Sequence, residues 1–175
     1  MDAIEAIRAR RSVGRLHEPA PGPDDLEVLL DAAQAAPDHG RLRPWRFVVL
    51  QGREKDEFGE VLAEAYRRRC TEAGTAPDPA LEAKERHKLD RAPMVLVVAA
   101  SPIDSPKVPR VEQVLAAGAA AQNVLVAATA LGYGSMWRTG DPAYDPYVKR
   151  ALGLEEDDAV VAFLYLGTAP PNPSS

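Results

Sequence analysis

Apolar residues recur at helical spacing along residues 111–131, and alanine occupies most of the remaining positions. The stripe consists of Val111, Val114, Leu115, Gly118, Ala121, Leu125, Ala128 and Leu131. Because almost no charged face is left for water, we expect a helix that is buried on all sides and central to the fold. A helix of about 21 residues is about 30 Å long, the width of a small domain. Its small side chains suit close packing of backbones, within one subunit or between two.

Four other segments have helical periodicity, and two of them carry clear capping signals. Asp2 and Glu5 have the spacing of a capping box, and Asp145 followed by Pro146 is typical of a helix start. The predicted helices cover residues 2–10, 24–33, 54–70 and 146–152. Residues 77–91 are rich in charge and poor in apolar anchors, so the sequence leaves open whether they form a solvated helix or a mobile flap.

Three short apolar runs predict strands at residues 45–50, 94–100 and 159–166. The run at 94–100 is continuously apolar, as expected of a strand covered on both faces. Helices separate these strands, which predicts a layered α+β (α/β) fold with helices on both faces of a small mixed sheet. We expect one domain over residues 1–169 and a flexible tail over residues 170–175.

Composition narrows the classes of partner and compartment. The formal net charge of -5 argues against a nucleic-acid-binding surface, because phosphate backbones call for a basic face. A single cysteine, Cys70, fits a reducing compartment, and no secretory leader is recognisable, so the cytoplasm is expected. Gln122 and Asn123 interrupt the long helix, and we therefore expect no membrane span.

Several well-known sites are excluded by their missing patterns. Gly132 and Gly134 follow a helix and do not form the dinucleotide-binding glycine pattern, and no phosphate-binding P-loop or nucleophile elbow occurs. The three histidines are far apart in sequence, so no metal site is expected.

Three polar segments remain as candidates for one ligand site, each with an ordinary structural alternative. Arg10, Arg11 and Ser12 offer two guanidinium groups and a hydroxyl for a phosphate, or merely cations at a helix end. The Asp38-His39-Gly40 segment is a polar-ligand site or a simple turn. Residues 132–140 offer backbone amides, hydroxyls and the Trp137 ring, or simply connect a helix to a strand with Trp137 in the core.

The order and spacing of these segments resemble those of the FMN-dependent nitroreductase-like oxidoreductases, in particular the small, compact subgroup. The resemblance rests on Arg-Arg-Ser after the first helix, Ala-Pro-Asp-His and Pro-Trp-x-Phe within residues 35–47, and Gly-Tyr-Gly-Ser-Met-Trp-Arg-Thr-Gly at residues 132–140. It continues to residue 168. Each motif alone is weak, whereas the ordered set is specific.

The resemblance implies an intertwined homodimer with FMN at the subunit interface and a central helix in the dimer core. It implies that Arg10, Arg11 and Ser12 hold the phosphate and ribityl end, and that His39 reaches the cofactor from the partner subunit. The residues implied to line the flavin ring are Trp137, Arg138, Thr139 and Gly140, with further contacts from Ala35, Arg43, Ser135 and Met136. No catalytic side chain is implied, because the chemistry takes place at flavin N5.

The implied activity is ping-pong transfer of hydride from NADH or NADPH, through the flavin, to a flat nitro, quinone or enone-like small molecule. Two alternatives stay open: a non-catalytic flavin-binding or regulatory homodimer, and another flavin chemistry such as oxygen-dependent cleavage or dehalogenation. The sequence departs from the family at Gly14, where many members carry a cation, and at Arg43, where many carry glutamine. Both departures concern contacts to the flavin pyrimidine.

Overall fold

The structure is a computed structural model that describes residues 1–171. The α-helices in this range are α1 (Ala3–Ala9), α2 (Pro23–Gln34), α3 (Gly52–Glu72), α4 (Pro79–Arg86), α5 (Arg110–Ala130) and α6 (Pro146–Ala151). The strands are β1 (Trp45–Gln51), β2 (Met94–Ala100), β3 (Gly134–Arg138) and β4 (Ala159–Gly167). Short 3-10 turns occupy His39–Arg41, Lys88–Arg91 and Asp141–Ala143. Apart from its first two residues, the predicted flexible tail lies outside the described residues.

The four strands form one sheet in the order β1-β2-β4-β3, and every neighbouring pair is antiparallel. The layered α+β architecture with helices on both faces is confirmed. The prediction of a mixed sheet is wrong for these strands. A continuously apolar run shows that both faces of a strand are covered, but it carries no information about the direction of its neighbours.

Strand β2 separates two apolar cores. Met94, Leu96 and Val98 belong to the core on the side of α2 and α5, whereas Val95 and Val97 belong to the core on the side of α3 and α6. Successive side chains point to opposite faces of a strand, so an unbroken apolar sequence is required here. This alternation explains why the strand was predicted with its observed bounds.

Strand β3 lies within the segment that was expected to be a glycine-bearing loop. Met136 pairs with Tyr165 and Trp137 pairs with Leu164, so the segment forms the edge of the sheet beyond β4. The run is short and contains glycine, which gives it little strand propensity of its own. Its backbone hydrogen bonds to β4 come from tertiary structure.

Helix α5 is central, as predicted, because it packs against α1, α2 and the sheet. It is not buried on all sides within one chain. Ala117, Ala120 and Val124 are fully buried, whereas Val111 and Leu115 on another face are 63% and 66% exposed. An apolar face therefore remains uncovered. By length and composition α5 could also cross a membrane, but core helices of soluble proteins pass the same test.

The charged segment 77–91 forms helix α4 and the following 3-10 turn, so the helical alternative is the correct one. Arg67 on α3 donates to Glu64 at 2.7 Å and to Glu82 of α4 at 2.6 Å. Arg86 of α4 donates in turn to Glu60 of α3 at 2.7 Å. Hydrogen bonds from Arg67 and Arg68 lower the pKa of Glu64, and those from Arg86 and Arg67 lower the pKa of Glu82. A network of this kind fixes α4 against α3 better than single surface pairs do.

Candidate functional site

The segment that follows α1 lies directly beside strand β3. Ser12 forms a parallel bridge with Ser135, and the N–H of Val13 donates to the carbonyl oxygen of Ser135 at 3.0 Å. Because the segment after α1 and strand β3 run in the same direction, the residues that follow Ser12 approach the end of β3. Two of the three candidate segments are therefore joined into one site.

The capping box that starts α1 is present, with Asp2 accepting from the N–H of Glu5, and the helix ends at Ala9. Arg11 then folds back, and its Nη1 donates to the carbonyl oxygens of Arg8 at 2.5 Å and Arg10 at 2.9 Å. Part of the Arg11 guanidinium thus hydrogen-bonds to carbonyl oxygens at the end of α1. This is what the simpler interpretation, a cation at a helix end, predicts. Arg10 is half-buried and makes no side-chain hydrogen bond in residues 1–171.

Side chains of β3 alternate between the two cores. Trp137 packs against the core on the side of α5, whereas Met136 packs against the core on the side of α3. Arg138 lies on the same side as Met136, with its guanidinium 5.8 Å from the centre of the Tyr165 ring. The Trp137 ring and the Arg138 guanidinium therefore face opposite sides of the sheet.

A cavity of about 220 Å³ opens beside Arg138, Thr139 and Gly140. Its other lining residues are mostly apolar: Leu62, Lys88, Leu89, Pro142, Phe163 and Tyr165. A pocket with an apolar floor and a few polar groups at one edge is typical of sites for flat organic cofactors and substrates.

A second cavity of about 390 Å³ shares Lys88 and Arg138 with the first. Four cations that we call the cation rim line it: Arg15, Lys84, Arg91 and Arg138. Lys88, His87 and the carboxylate of Asp90 also line it. Lys88 pairs with Glu85, and His87 Nδ1 lies 2.9 Å from Asp90 Oδ2. No member of the cation rim forms an ion pair within residues 1–171. In a protein with a net charge of -5, this is a local excess of positive charge.

Tyr165 forms part of the cavity floor and donates its hydroxyl hydrogen to the carbonyl oxygen of Lys88 at 3.2 Å. Burial raises the pKa of Tyr165 to about 12, against an opposing effect of the nearby Arg138 charge. The unfolded chain therefore loses this proton at lower pH than the folded chain does. The corresponding stability is complete below about pH 10 and is lost as the pH rises towards 12.

Tyr165→Phe is expected to reduce the alkaline loss of stability. One such tyrosine accounts for about 1.4 kcal/mol of loss by pH 11, and the variant should lack this part of the decline. At pH 8 the variant should be about 1 kcal/mol less stable, because the hydrogen bond to Lys88 is removed. Urea unfolding of both proteins at pH 8 and pH 11 measures the difference. Equal pH dependence in the two proteins would contradict the expectation.

The third candidate segment lies elsewhere in the chain. His39 Nδ1 is 2.8 Å from Glu112 Oε2 in the first turn of α5, and Ser135 follows the other end of that helix. The two positions are separated by about 30 Å of helix. The His39 side chain is 73% exposed and borders an open pocket with Leu115. Within one chain, His39 cannot contact a ligand held at Ser12.

The two remaining residues of the site prediction, Ala35 and Arg43, lie near His39. Ala35 is the C-cap of α2 and is exposed, and the N–H of Arg43 donates to Asp38 Oδ2 at 2.7 Å. Arg43 lines a cavity of about 330 Å³ with Arg41 and Trp45, distinct from the one beside Arg138. The structure thus groups the predicted residues into two clusters at opposite ends of α5.

Sequence comparison decides the family. A family model described as the nitroreductase family matches residues 7–168. The chain is 40% identical over 168 residues to YdjA of Escherichia coli K12, which carries the provisional name NAD(P)H nitroreductase; the match covers 96% of this chain and 88% of YdjA. This chain belongs to the nitroreductase family. The resemblance inferred from the sequence is thereby confirmed.

Solved structures agree with this nitroreductase-family assignment. A nitroreductase-like family protein from Bacillus cereus superposes with a TM-score of 0.80 at 23% identity, over 100% of this chain and 89% of the other, which shows a common fold. A nitroreductase from Bacteroides fragilis, solved with bound FMN, superposes with a TM-score of 0.72 at 25% identity, over 97% of this chain and 89% of the other.

Within residues 1–171 of this nitroreductase-family chain, two buried polar atoms lack hydrogen-bond partners: Ser135 Oγ and Arg138 Nε. Unpaired buried polar atoms are rare in proteins and call for an explanation. Arg138 Nε lies beside the cavity, where a ligand with hydrogen-bonding edges would fit, whereas Ser135 Oγ lies on the opposite face of β3, on the side of α5. The residues present are therefore compatible with FMN.

Sequence reasoning did not assign the positive charge of the cation rim to this site. Lys84 and Arg91 belong to the charged segment 77–91, whose role the sequence leaves open, and Arg15 directly follows Gly14. The signal was the run of cations at positions 84, 87, 88 and 91, but its meaning depends on its position beside Arg138.

Proposed function

We propose that this protein is an FMN-dependent oxidoreductase that transfers hydride from NADH or NADPH to a flat, electron-poor small molecule such as a nitro, quinone or enone-like compound. The observation that carries the proposal is the bridge between Ser12 and Ser135, which joins the arginine segment to the strand that leads into the cavity. The family assignment, the name of YdjA and the FMN-bound relative support it.

Arg10, Arg11 and Ser12 are proposed to hold the phosphate and ribityl end of FMN. Arg10 has its whole guanidinium available, and Arg11 keeps donors beyond the Nη1 that serves the helix end. Guanidinium groups bind phosphate through paired hydrogen bonds, which are stronger than neutral ones. Ser12 supplies a hydroxyl at the point where the segment joins β3.

The flavin ring is proposed to lie along Arg138, Thr139 and Gly140 at the cavity. Gly140 has a φ of +79°, a conformation that other residues rarely adopt, so the loop can present backbone N–H groups at this point. One of these, at Thr139 or Gly140, is the proposed donor to flavin N5. Since the Trp137 ring packs into the opposite core, its proposed contact with the flavin is through its backbone.

The position of the cation rim supports a proposed substitute for the cation that is missing at Gly14. Arg15 and Arg138 border the same cavity, so they provide positive charge where the family often has a cation two residues after the motif serine. Such charge stabilises a reduced flavin that carries negative charge on its pyrimidine and so favours two-electron transfer. Arg43 does not take this role within one chain, because it lines a different cavity.

A homodimer is proposed to complete the site. His39 is too far from Ser12 in its own chain, but the partner's copy could approach it across the exposed apolar face of α5. That face carries Val111 and Leu115, and the adjacent helix α1 adds Ile4 and Ile7, all more than half exposed. Large exposed apolar patches of this kind mark protein interfaces.

When bound, FMN would supply the redox chemistry, which is the transfer of hydride between the nicotinamide and the acceptor. The protein contributes binding, orientation and charge. Leu62, Leu89 and Phe163 provide the apolar surface that excludes water, and the backbone of residues 139–140 orients the N5 edge. No acid–base pair is needed for the transfer, and donor and acceptor use the same place in turn. The cytoplasmic location stays a prediction.

The absorption spectrum of the purified protein tests this function. We expect a yellow protein with the absorbance bands of oxidised flavin, and bleaching of the visible band when NADH or NADPH is added without oxygen. Subsequent addition of a nitroaromatic or quinone should restore the band. Flavin that stays oxidised under anaerobic NADH and NADPH would instead indicate a binding or regulatory protein, and products that require oxygen would indicate another flavin chemistry.

A further inference from the structure

We propose that Lys84 and Arg91, the cations on the solvent side of the cation rim, bind an oxyanion on the reactant that visits the flavin, with Arg15 beside them at the pyrimidine edge. The oxyanion is a carboxylate on the acceptor or a phosphate on the hydride donor, and the two share the same recognition chemistry. This inference rests on the proposed function and extends it to a preference among reactants.

Three separate parts of the chain bring these cations together. The N–H of Leu16 donates to the carbonyl oxygen of Arg91 at 2.7 Å, which fixes the segment carrying Arg15 beside the 3-10 turn Lys88–Arg91. Lys84 comes from α4, which the ion-pair network holds against α3. The positions of the cations are therefore set by backbone and helix packing.

Helix capping does not account for this arrangement. A cation in the last turn of a helix offsets the helix dipole, and this explains Lys84 near the end of α4. It does not explain Arg15 or Arg91, which lie outside any α-helix. Like charges that border one cavity repel each other, and a bound anion relieves that repulsion.

The flavin does not require all four cations. Arg138, half-buried at the junction of the two cavities, and one neighbour suffice for the pyrimidine edge. Lys84 and Arg91 are exposed on the solvent side, where they can meet a charged group that projects from a reactant. Since these cations are exposed, salt should weaken their effect.

The test compares matched reactants that differ in one charged group, using the complete protein with its flavin. The acceptors are 4-nitrobenzoate and 4-nitrobenzamide, and the donors are NADPH and NADH. In a ping-pong scheme, kcat/KM for each reactant reports only its own half-reaction. A carboxylate withdraws electrons less than an amide does, so a preference for 4-nitrobenzoate would not arise from intrinsic reactivity.

We expect the charged member of at least one pair to be preferred about tenfold at low salt, since each exposed ion pair contributes about threefold. In the double variant Lys84→Gln with Arg91→Gln, this preference should fall towards one. Loss in the acceptor pair identifies a carboxylate, and loss in the donor pair identifies a phosphate. Arg53→Gln removes an equally exposed cation from the start of α3 and should leave both ratios unchanged.

Ratios that are unchanged in the double variant, for acceptors and donors alike, would overturn the proposal. If no reactant in either pair is turned over, it is the proposed function that fails. Binding of benzoate, measured by calorimetry, then tests independently whether the cation rim binds an oxyanion. Affinity about tenfold weaker in the double variant than in Arg53→Gln supports the oxyanion site, and equal affinity excludes it.

Discussion

Replacing Arg10 and Arg11 together by alanine is expected to release FMN while the protein stays folded. Arg10 makes no side-chain hydrogen bond in the described chain, and Arg11 contacts only backbone carbonyls, so neither side chain holds the fold together. A hydrogen bond to a charged group contributes about 1.5–3 kcal/mol. Loss of two such contacts weakens FMN binding by about 10²–10⁴-fold.

Flavin content per chain after dialysis, and the FMN dissociation constant from a fluorescence titration, measure this effect. Arg8→Ala is the matched control, because Arg8 is a cation in the last turn of α1 but precedes the arginine-serine segment. It should lower helix stability slightly and leave FMN bound. Light scattering on all three proteins should give the mass of a dimer.

Unchanged flavin content in the double variant would show that the two arginines are merely cations at a helix end. Flavin loss in the Arg8→Ala variant as well would mean that the fold of α1, rather than phosphate contact, controls binding.

Gly167→Ala should be among the most destabilising single substitutions in this protein. A Cβ at this position would lie 2.7 Å from Pro93 Cδ and 2.9 Å from the carbonyl oxygen of His17. Both are rigid, because one belongs to a proline ring and the other to the backbone pairing between His17 and Thr168. Overpacking of this kind costs about 1–3 kcal/mol, and more where nothing can move.

Urea unfolding at neutral pH measures the loss, which we expect at about 3 kcal/mol or more. Gly14→Ala is the matched control, since a Cβ there meets nothing within 4 Å and should change stability by less than about 0.5 kcal/mol. If Gly167→Ala unfolds at the wild-type urea concentration, the close approach of β4 to Pro93 is not a constraint on the fold.

The elements with strong local signals could be predicted from sequence because their causes are local. Strand β2 was predicted with its observed bounds, since both of its faces require apolar residues. Helix α1 was predicted from its capping box, and α6 from Asp145 and Pro146. In each case, neighbouring residues alone determine the backbone conformation.

The errors concern features that depend on distant partners. Strand β3 was expected to be a loop because its sequence favours no strand, and β4 supplies its hydrogen bonds. Strand direction was wrong because apolar patterns do not encode it. The face of α5 that carries Val111 and Leu115 is exposed in a single chain, and its burial between two subunits stays a prediction.

For the candidate site, the sequence by itself determined the arginine-serine segment, the segment before Trp45 and the segment that contains Trp137, and their order indicated the nitroreductase family. It did not determine which of them meet. Only the tertiary structure placed Ser12 beside Ser135, and His39 at the other end of α5. Only the tertiary structure gathered Arg15, Lys84, Arg91 and Arg138 around one cavity, because cations distant in sequence have no local pattern that reveals their proximity.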